Sequence, residues 1–214
     1  MRAMRRVTTI GSIAILAMAT TVSSASATPW PWDGIYPDKS THSYCYTTSV
    51  PDSIRSYIPG AMNYLVSATD IPGVPFQDPC DTKNSNEDGD PATDVAWFQA
   101  WVQDGYGDAT TCKVRTASQP GWCDMRFVKI NKAAVDAADD PHHQYIKTVC
   151  HELGHSLGLA HYDADGGLGG IPPGGEWDCM VSGHVTQPGA PPVSDPWIWQ
   201  LNSHNKDHVN AWWP

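Results

Sequence analysis

The most regular apolar pattern in the chain lies between residues 146 and 157. Apolar side chains recur there every three or four positions, the spacing that places them on one face of an α-helix: Ile146, Val149, Cys150, Leu153 and Leu157. Asp139 or Asp140 can cap the start of this helix, and Pro141 suits its first position. The pattern therefore predicts a helix that starts at residue 141, reaches about residue 159 and buries its apolar face in a core.

Weaker patterns predict the remaining elements. Segments with buried or alternating apolar residues are predicted strands: residues 44–49, 94–102 and 125–131. The last of these alternates as a strand at the edge of a sheet does, although an ordinary covered strand is the alternative, and residues 105–121 before it are rich in turn formers. Asp52 or Ser53 can cap a helix that runs to about residue 67, interrupted by Pro59, and a last helix is predicted over 203–213.

The long helix carries metal-binding chemistry. His151 and His155 are four residues apart, so one metal ion can reach both imidazoles, and Glu152 beside them can act on a metal-bound water. Gly158 can adopt a positive φ and end the helix, after which His161 can turn back as a third ligand. Three imidazoles leave the fourth position of a tetrahedral zinc open, as in catalytic zinc sites. These residues predict one catalytic Zn²⁺ held by the three histidines, with Glu152 as the general base.

Residues 151–161, which read HELGHSLGLAH, resemble the signature of the metzincin clan of zinc metallopeptidases, and among its families they are most similar to the matrixins. Met180, within residues 178–183, is the candidate for the clan's methionine turn. The resemblance implies an α+β, zincin/metzincin-like fold. Its parts are a twisted mixed sheet of about five strands, packed helices, the active-site helix, and a small C-terminal subdomain with the Met-turn.

The resemblance also implies an activity, that of a zinc-dependent endopeptidase acting on proteins or peptides. Glu152 would take a proton from the zinc-bound water and deliver it to the leaving amine, and Met180 would be a packing floor rather than a ligand. In this clan the strand before the active-site helix aligns the peptide, a place that residues 125–131 hold in the chain, and residues 184–192 would form the wall of a specificity pocket.

Some features depart from the matrixin pattern. Tyr162 follows the third histidine where matrixins usually have Ser, no Tyr follows the methionine turn, and no His lies between residues 43 and 141 to hold a second zinc. Two other functions stay open. One is a secreted zinc-bearing binding or toxin-like module with little turnover, and the other is a zinc hydrolase of a non-peptide substrate.

The start of the chain resembles a secretory signal peptide. Three arginines precede the mostly apolar residues 10–22, and Ala25-Ser26-Ala27 matches an A-x-A cleavage site. We expect residues 1–27 to be the signal peptide and residues 28–214 to form one secreted, extracellular catalytic domain.

The chain has 23 Asp and Glu against 13 Lys and Arg, a net charge of −10. This charge argues against nucleic acid or an anionic membrane as a partner, and we expect a monomer.

An even number of cysteines in an exported chain predicts three disulfides, with about 15 connectivities to choose from. The six cysteines are Cys45, Cys80, Cys112, Cys123, Cys150 and Cys179. Cys112 and Cys123 are close enough in sequence to close their own loop. The metzincin resemblance implies that Cys150 and Cys179 converge near one metal and pair, which leaves Cys45 with Cys80. A buried free thiol at Cys150 is the alternative.

Two acidic loops are candidates for Ca²⁺ binding. Residues 84–90 place oxygen-bearing side chains at alternate positions with Gly sixth, but Val95 occupies the twelfth position, where an EF-hand needs Glu. Residues 163–167 are a second loop of this kind. A solvated acidic loop without an ion is the alternative in both places.

Overall fold

The computed structural model describes residues 30–83, 92–103, 105–109, 111–162 and 176–213. The predicted signal peptide and both candidate calcium loops lie outside these residues. The strands are β1 (Tyr36–Pro37), β2 (Tyr44–Tyr46), β3 (Val95–Gln99), β4 (Gly107–Ala109), β5 (Val114–Arg115) and β6 (Trp122–Ile130). The helices are α1 (Asp52–Arg55), α2 (Ile58–Ala68), α3 (Lys132–Asp136), α4 (Pro141–Ser156) and α5 (Ser203–Trp212), with a 3₁₀ turn at Pro196–Ile198.

The sheet is built around β6. Strands β1 and β3 pair with β6 in parallel, β2 pairs with β3 in parallel, and β4 and β5 pair with β6 antiparallel. The described residues thus form a mixed sheet of six strands with helices packed on it. The prediction of an α+β fold is confirmed.

The prediction that residues 125–131 form an edge strand is wrong. Lys129 of β6 lies opposite Phe98 of β3 and also opposite Asp108 of β4, so β6 has neighbours on both sides. The alternating pattern reflects two unequally covered faces of an interior strand rather than a free edge. The antiparallel neighbours β4 and β5 come from the turn-rich segment 105–121, where Gly and Asp give weak strand propensity.

The helix predicted from Asp52 or Ser53 to about residue 67 is two helices, α1 and α2. Pro59 stands in the first turn of α2, where the missing N–H of proline costs no helical hydrogen bond. The predicted side-chain cap is absent, because Pro51 is the N-cap residue of α1 and makes no side-chain hydrogen bond. The last helix, α5, lies where it was predicted, and its N-cap residue Asn202 accepts from the Asn205 N–H.

Helix α4 has the predicted start and an earlier end. Asp140 caps it by accepting from the His143 N–H. The helix ends at Ser156 instead of about residue 159, because the chain turns at Gly158, whose φ is +87°. Every residue of the helix from Lys147 to Gly154 is buried. Strands β4 and β6, helix α2 and the 3₁₀ turn pack against the helix. Among the described helices, none is long and apolar enough to cross a membrane.

The main core lies between the sheet and the helices. Trp97 and Val128 of the sheet face Met62 of α2 and Val149 and Leu153 of α4, and each of these side chains is at most 1% exposed. Burial of several large apolar side chains, each worth about 1.5–3 kcal/mol, fixes α4 on the sheet. The rigid part of the fold therefore includes the helix that carries the histidines.

All three expected disulfides are present. They join Cys45 to Cys80, Cys112 to Cys123, and Cys150 to Cys179. The alternative of a free Cys150 is wrong. The Cys150–Cys179 bond ties α4, one residue before its first histidine, to the segment that carries Met180, across a sequence separation of 29 residues.

We predict that this bond contributes strongly to stability. On the chain-entropy model, a loop of its length stabilises the fold by about 3–4 kcal/mol. Urea unfolding of the Cys150→Ala/Cys179→Ala variant should show a loss of that size in the free energy of unfolding. A loss below about 1 kcal/mol would contradict the prediction.

Candidate metal centre

Helix α4 and the turn after it bring three imidazoles together, and we call His151, His155 and His161 the histidine cluster. The Nε2 atom of His161 lies 2.9 Å from Nε2 of His151 and 2.9 Å from Nε2 of His155, and the latter two atoms are 3.3 Å apart. His151 and His155 meet because they are one helical turn apart. His161 joins them because the Gly158 turn reverses the chain.

Main-chain carbonyls fix the orientation of two of these rings. Nδ1 of His151 lies 2.7 Å from the carbonyl oxygen of Cys179, and Nδ1 of His155 lies 2.7 Å from that of Leu159. A carbonyl oxygen can only accept, so each Nδ1 carries the proton and each Nε2 presents a lone pair. The two lone pairs face each other across 3.3 Å.

The cluster is therefore a set of donors for a cation. Burial lowers the pKa of His155 to about 3 and the pKa of His151 well below its usual value, so both rings are neutral at physiological pH. Zinc–nitrogen bonds of about 2.0–2.1 Å in a tetrahedron place ligand atoms about 3.3 Å apart. The separations of 2.9–3.3 Å fit such an ion, and carbonyl partners on Nδ1 are the usual support for histidine ligands.

Glu152 is buried between α4 and β4. Its side chain lies against Gly107, where an added Cβ would come within 2.6 Å of the Glu152 Cγ. The backbone N–H of Ala109 hydrogen-bonds to its carboxylate. Burial, and then the charge of Asp108, raise the pKa of Glu152 to about 8. A carboxylate with such a pKa can both accept and release a proton near neutral pH.

Met180 packs against helix α4 at Gly154, between the first two histidines of the cluster in sequence. It is fully buried, and its sulfur occupies the place where a Cβ on Gly154 would stand. A tight turn holds it, in which the Met180 N–H donates to Asp178 Oδ1 at 2.9 Å and the Val181 N–H donates to the Asp178 carbonyl at 3.2 Å. Sequence reasoning placed Met180 in such a turn, and the contact with Gly154 makes it a packing residue.

A buried polar network connects this turn to the residue after His161. Asp178 Oδ2 accepts from the Tyr162 hydroxyl at 2.8 Å and from the Asn205 side chain at 2.7 Å. Asn202 donates to the Tyr162 hydroxyl at 2.9 Å. In the sequence, Tyr162 stands out only as a departure from the matrixin pattern. Its partners lie 16 to 43 residues away, so local patterns carry no signal for them.

Sequence analysis also missed Lys147, which is 2% exposed on α4. Burial lowers its pKa to about 8, while the charges of Glu152 and Asp178 act in the opposite direction. A lysine one helical turn before His151 was the available signal. Near it, Gln144 accepts from the Val185 N–H at 3.0 Å, so the segment predicted as a pocket wall is attached to α4.

A scan against models of protein families gave no match, and neither did a search of curated proteins. Assignment to a family therefore depends on the motif and on the geometry of the site.

His42, two residues before β2, contacts the end of α4. Its Nε2 lies 2.9 Å from Ser156 Oγ, and the Ser156 hydroxyl donates to the Leu153 carbonyl at 2.6 Å. The hydroxyl proton is thus used, so His42 Nε2 donates. Burial, and then the charge of Arg126, lower the pKa of His42 to about 3.

We predict that His42 makes the fold sensitive to acid. An unfolded imidazole titrates near pH 6.5, so from there down to about pH 3 the unfolded chain binds a proton that the fold excludes. Stability therefore falls as the pH falls. Between about pH 6.5 and pH 5, the free energy of unfolding in urea should fall by about 2 kcal/mol less for His42→Gln than for wild type. His142→Gln, which removes an exposed imidazole, should behave as wild type, and equal pH dependence in all three proteins would refute the prediction.

Proposed function

We propose that this protein is a secreted zinc endopeptidase of the metzincin clan, similar to matrixins, that hydrolyses peptide bonds in proteins or peptides. The observation that carries the proposal is the convergence of three imidazoles beside a buried glutamate, with two of the rings fixed so that their Nε2 lone pairs face each other. The α+β fold and the contact of the buried Met180 with Gly154 of α4 support the proposal.

Each residue of the site has a role in this chemistry. Zinc, when bound, supplies a Lewis acid that lowers the pKa of a water to about 7 and polarises a carbonyl. His151, His155 and His161 would hold the ion and leave its fourth position for water or substrate. Glu152 accepts the proton of the attacking water and passes it to the leaving amine, a task that suits a pKa raised to about 8.

Strand β4 is the better candidate for aligning the peptide, in place of residues 125–131. Within the described part of the chain β4 pairs with β6 alone, so no other described strand pairs with its second edge. That edge faces the catalytic glutamate, since the Ala109 N–H reaches the Glu152 carboxylate. A peptide paired with β4 through main-chain hydrogen bonds would pass beside Glu152.

The remaining parts of the proposal concern location and partners. Three disulfides are typical of exported proteins and support secretion. The histidine cluster is complete within one chain, which supports a monomer acting on peptide substrates. The net charge of −10 disfavours nucleic acid and anionic membranes as partners.

We predict that Glu152→Gln retains the fold and zinc but lowers kcat/KM on a mixed peptide library by about 10²–10⁴-fold, because proton transfer is lost while the ligands are unchanged. Glu176→Gln, which changes an exposed carboxylate bonded to Ser203, is the matched control and should retain wild-type activity.

Different outcomes point to different errors. Near wild-type activity in Glu152→Gln would show that this glutamate is not the base. A wild type that binds zinc but cleaves no peptide would favour the binding module or the hydrolase of non-peptide substrates.

A further inference from the structure

Residues 30–35, which we call the arm, lie across the C-terminal end of α4. Three donors of the arm reach carbonyls there. The Trp32 N–H donates to the Gly158 carbonyl at 2.9 Å, the Trp30 indole to the Leu157 carbonyl at 3.2 Å, and the Trp32 indole to the His155 carbonyl at 3.3 Å. The last carbonyls of a helix have no N–H donor within the helix, so donors from other segments can bond to them. The His155 carbonyl also accepts from the Gly158 N–H at 3.0 Å. The two indole donors come from a segment more than 120 residues away in sequence.

The arm also holds the Gly158 turn by direct contact. Gly158 has a φ of +87°, and a Cβ on it would lie 2.9 Å from the Cβ of Pro31. Arm and turn are thus packed without space between them. The Trp32 ring also meets the His155 ring edge to face, with centroids 6.2 Å apart.

The Gly158 turn in turn places groups of the histidine cluster. The residue after it, Leu159, provides the carbonyl that binds His155 Nδ1 at 2.7 Å and so sets the direction of that ring. His161 follows two residues later. A displacement of the turn would therefore rotate the His155 ring and move the His161 ring at the same time.

The arm is itself anchored at both sides. Asp33 makes two hydrogen bonds to the Arg126 guanidinium of β6, at 2.7 and 3.0 Å, and the two side chains are 6% and 1% exposed. Buried paired charges of this kind are costly to separate. On the other side Trp30 stacks on His208 and meets Trp212, both of α5, at centroid distances of 5.7 and 6.1 Å.

We propose that the arm is a positioning element of the histidine cluster, with Trp30 and Trp32 as positioning residues. They hold the Gly158 turn so that His155 and His161 point at one ion. This inference rests on the proposed zinc site. It predicts that the indole donors affect metal affinity more than they affect the stability of the metal-free fold.

The test is zinc affinity, measured by competition with a chromophoric chelator, for wild type and for Trp30→Phe/Trp32→Phe, which loses both indole donors but keeps aromatic rings. Loss of groups that orient ligands commonly costs about 10–100-fold in metal affinity, and we expect a rise of at least about 10-fold in the zinc Kd. The visible spectrum of the Co²⁺-loaded protein should also change, because the ligand geometry changes.

Trp197→Phe is the matched control. Trp197 is 3% exposed, and its indole donates to the carbonyls of Pro191 and Pro192 at 3.2 Å, away from the arm. It should lower the stability of the metal-free protein in urea about as much as the double variant does, yet retain the wild-type zinc Kd and Co²⁺ spectrum.

A wild-type zinc Kd in the double variant, or an equal loss in Trp197→Phe, would overturn the role of the arm while leaving the zinc site intact. If the double variant does not fold, Trp32→Phe alone is measured against the same two criteria. A wild type that binds no zinc would instead refute the proposed function, and the role of the arm with it.

Discussion

Two hydrogen bonds from ring nitrogen to main-chain carbonyl are the constraint on which the site depends. They place the protons of His151 and His155 on Nδ1 and leave the two Nε2 atoms, each with a lone pair, 3.3 Å apart. Lone pairs at that distance repel unless a cation lies among them. The main chain thus orients the rings of a candidate cation site at two places, the turn at Met180 and the turn at Gly158.

Most of the molecule supports these two carbonyls. The Cys179 carbonyl is held by the disulfide to Cys150 and by the hydrogen bonds of Asp178. The Leu159 carbonyl is held by the Gly158 turn and the arm packed on it. Several of the tryptophans in the chain serve this packing, since Trp30, Trp32 and Trp212 connect the arm with α4 and α5. These three tryptophans are therefore structural residues.

The sequence allowed prediction where the determinants are local. Helical spacing and one glycine suffice to bring His151, His155 and His161 together, and Asp140 and Pro141 mark the start of α4. The short strand β4 was missed because Gly107 and Asp108 have little strand propensity. Its strand conformation depends on pairing with β6, which is distant in sequence. The arm and the network at Tyr162 depend on contacts between distant parts of the chain, such as Asp33 with Arg126, which no local pattern encodes.

Metal analysis of the purified wild-type protein, combined with X-ray absorption at the zinc edge, tests the central claim most directly. After dialysis against a weak chelator, the protein should retain about one equivalent of zinc, with three imidazole nitrogens at about 2.0–2.1 Å and one oxygen ligand from water. Absence of zinc, two tightly held equivalents, or an ion without three nitrogen ligands would contradict the account.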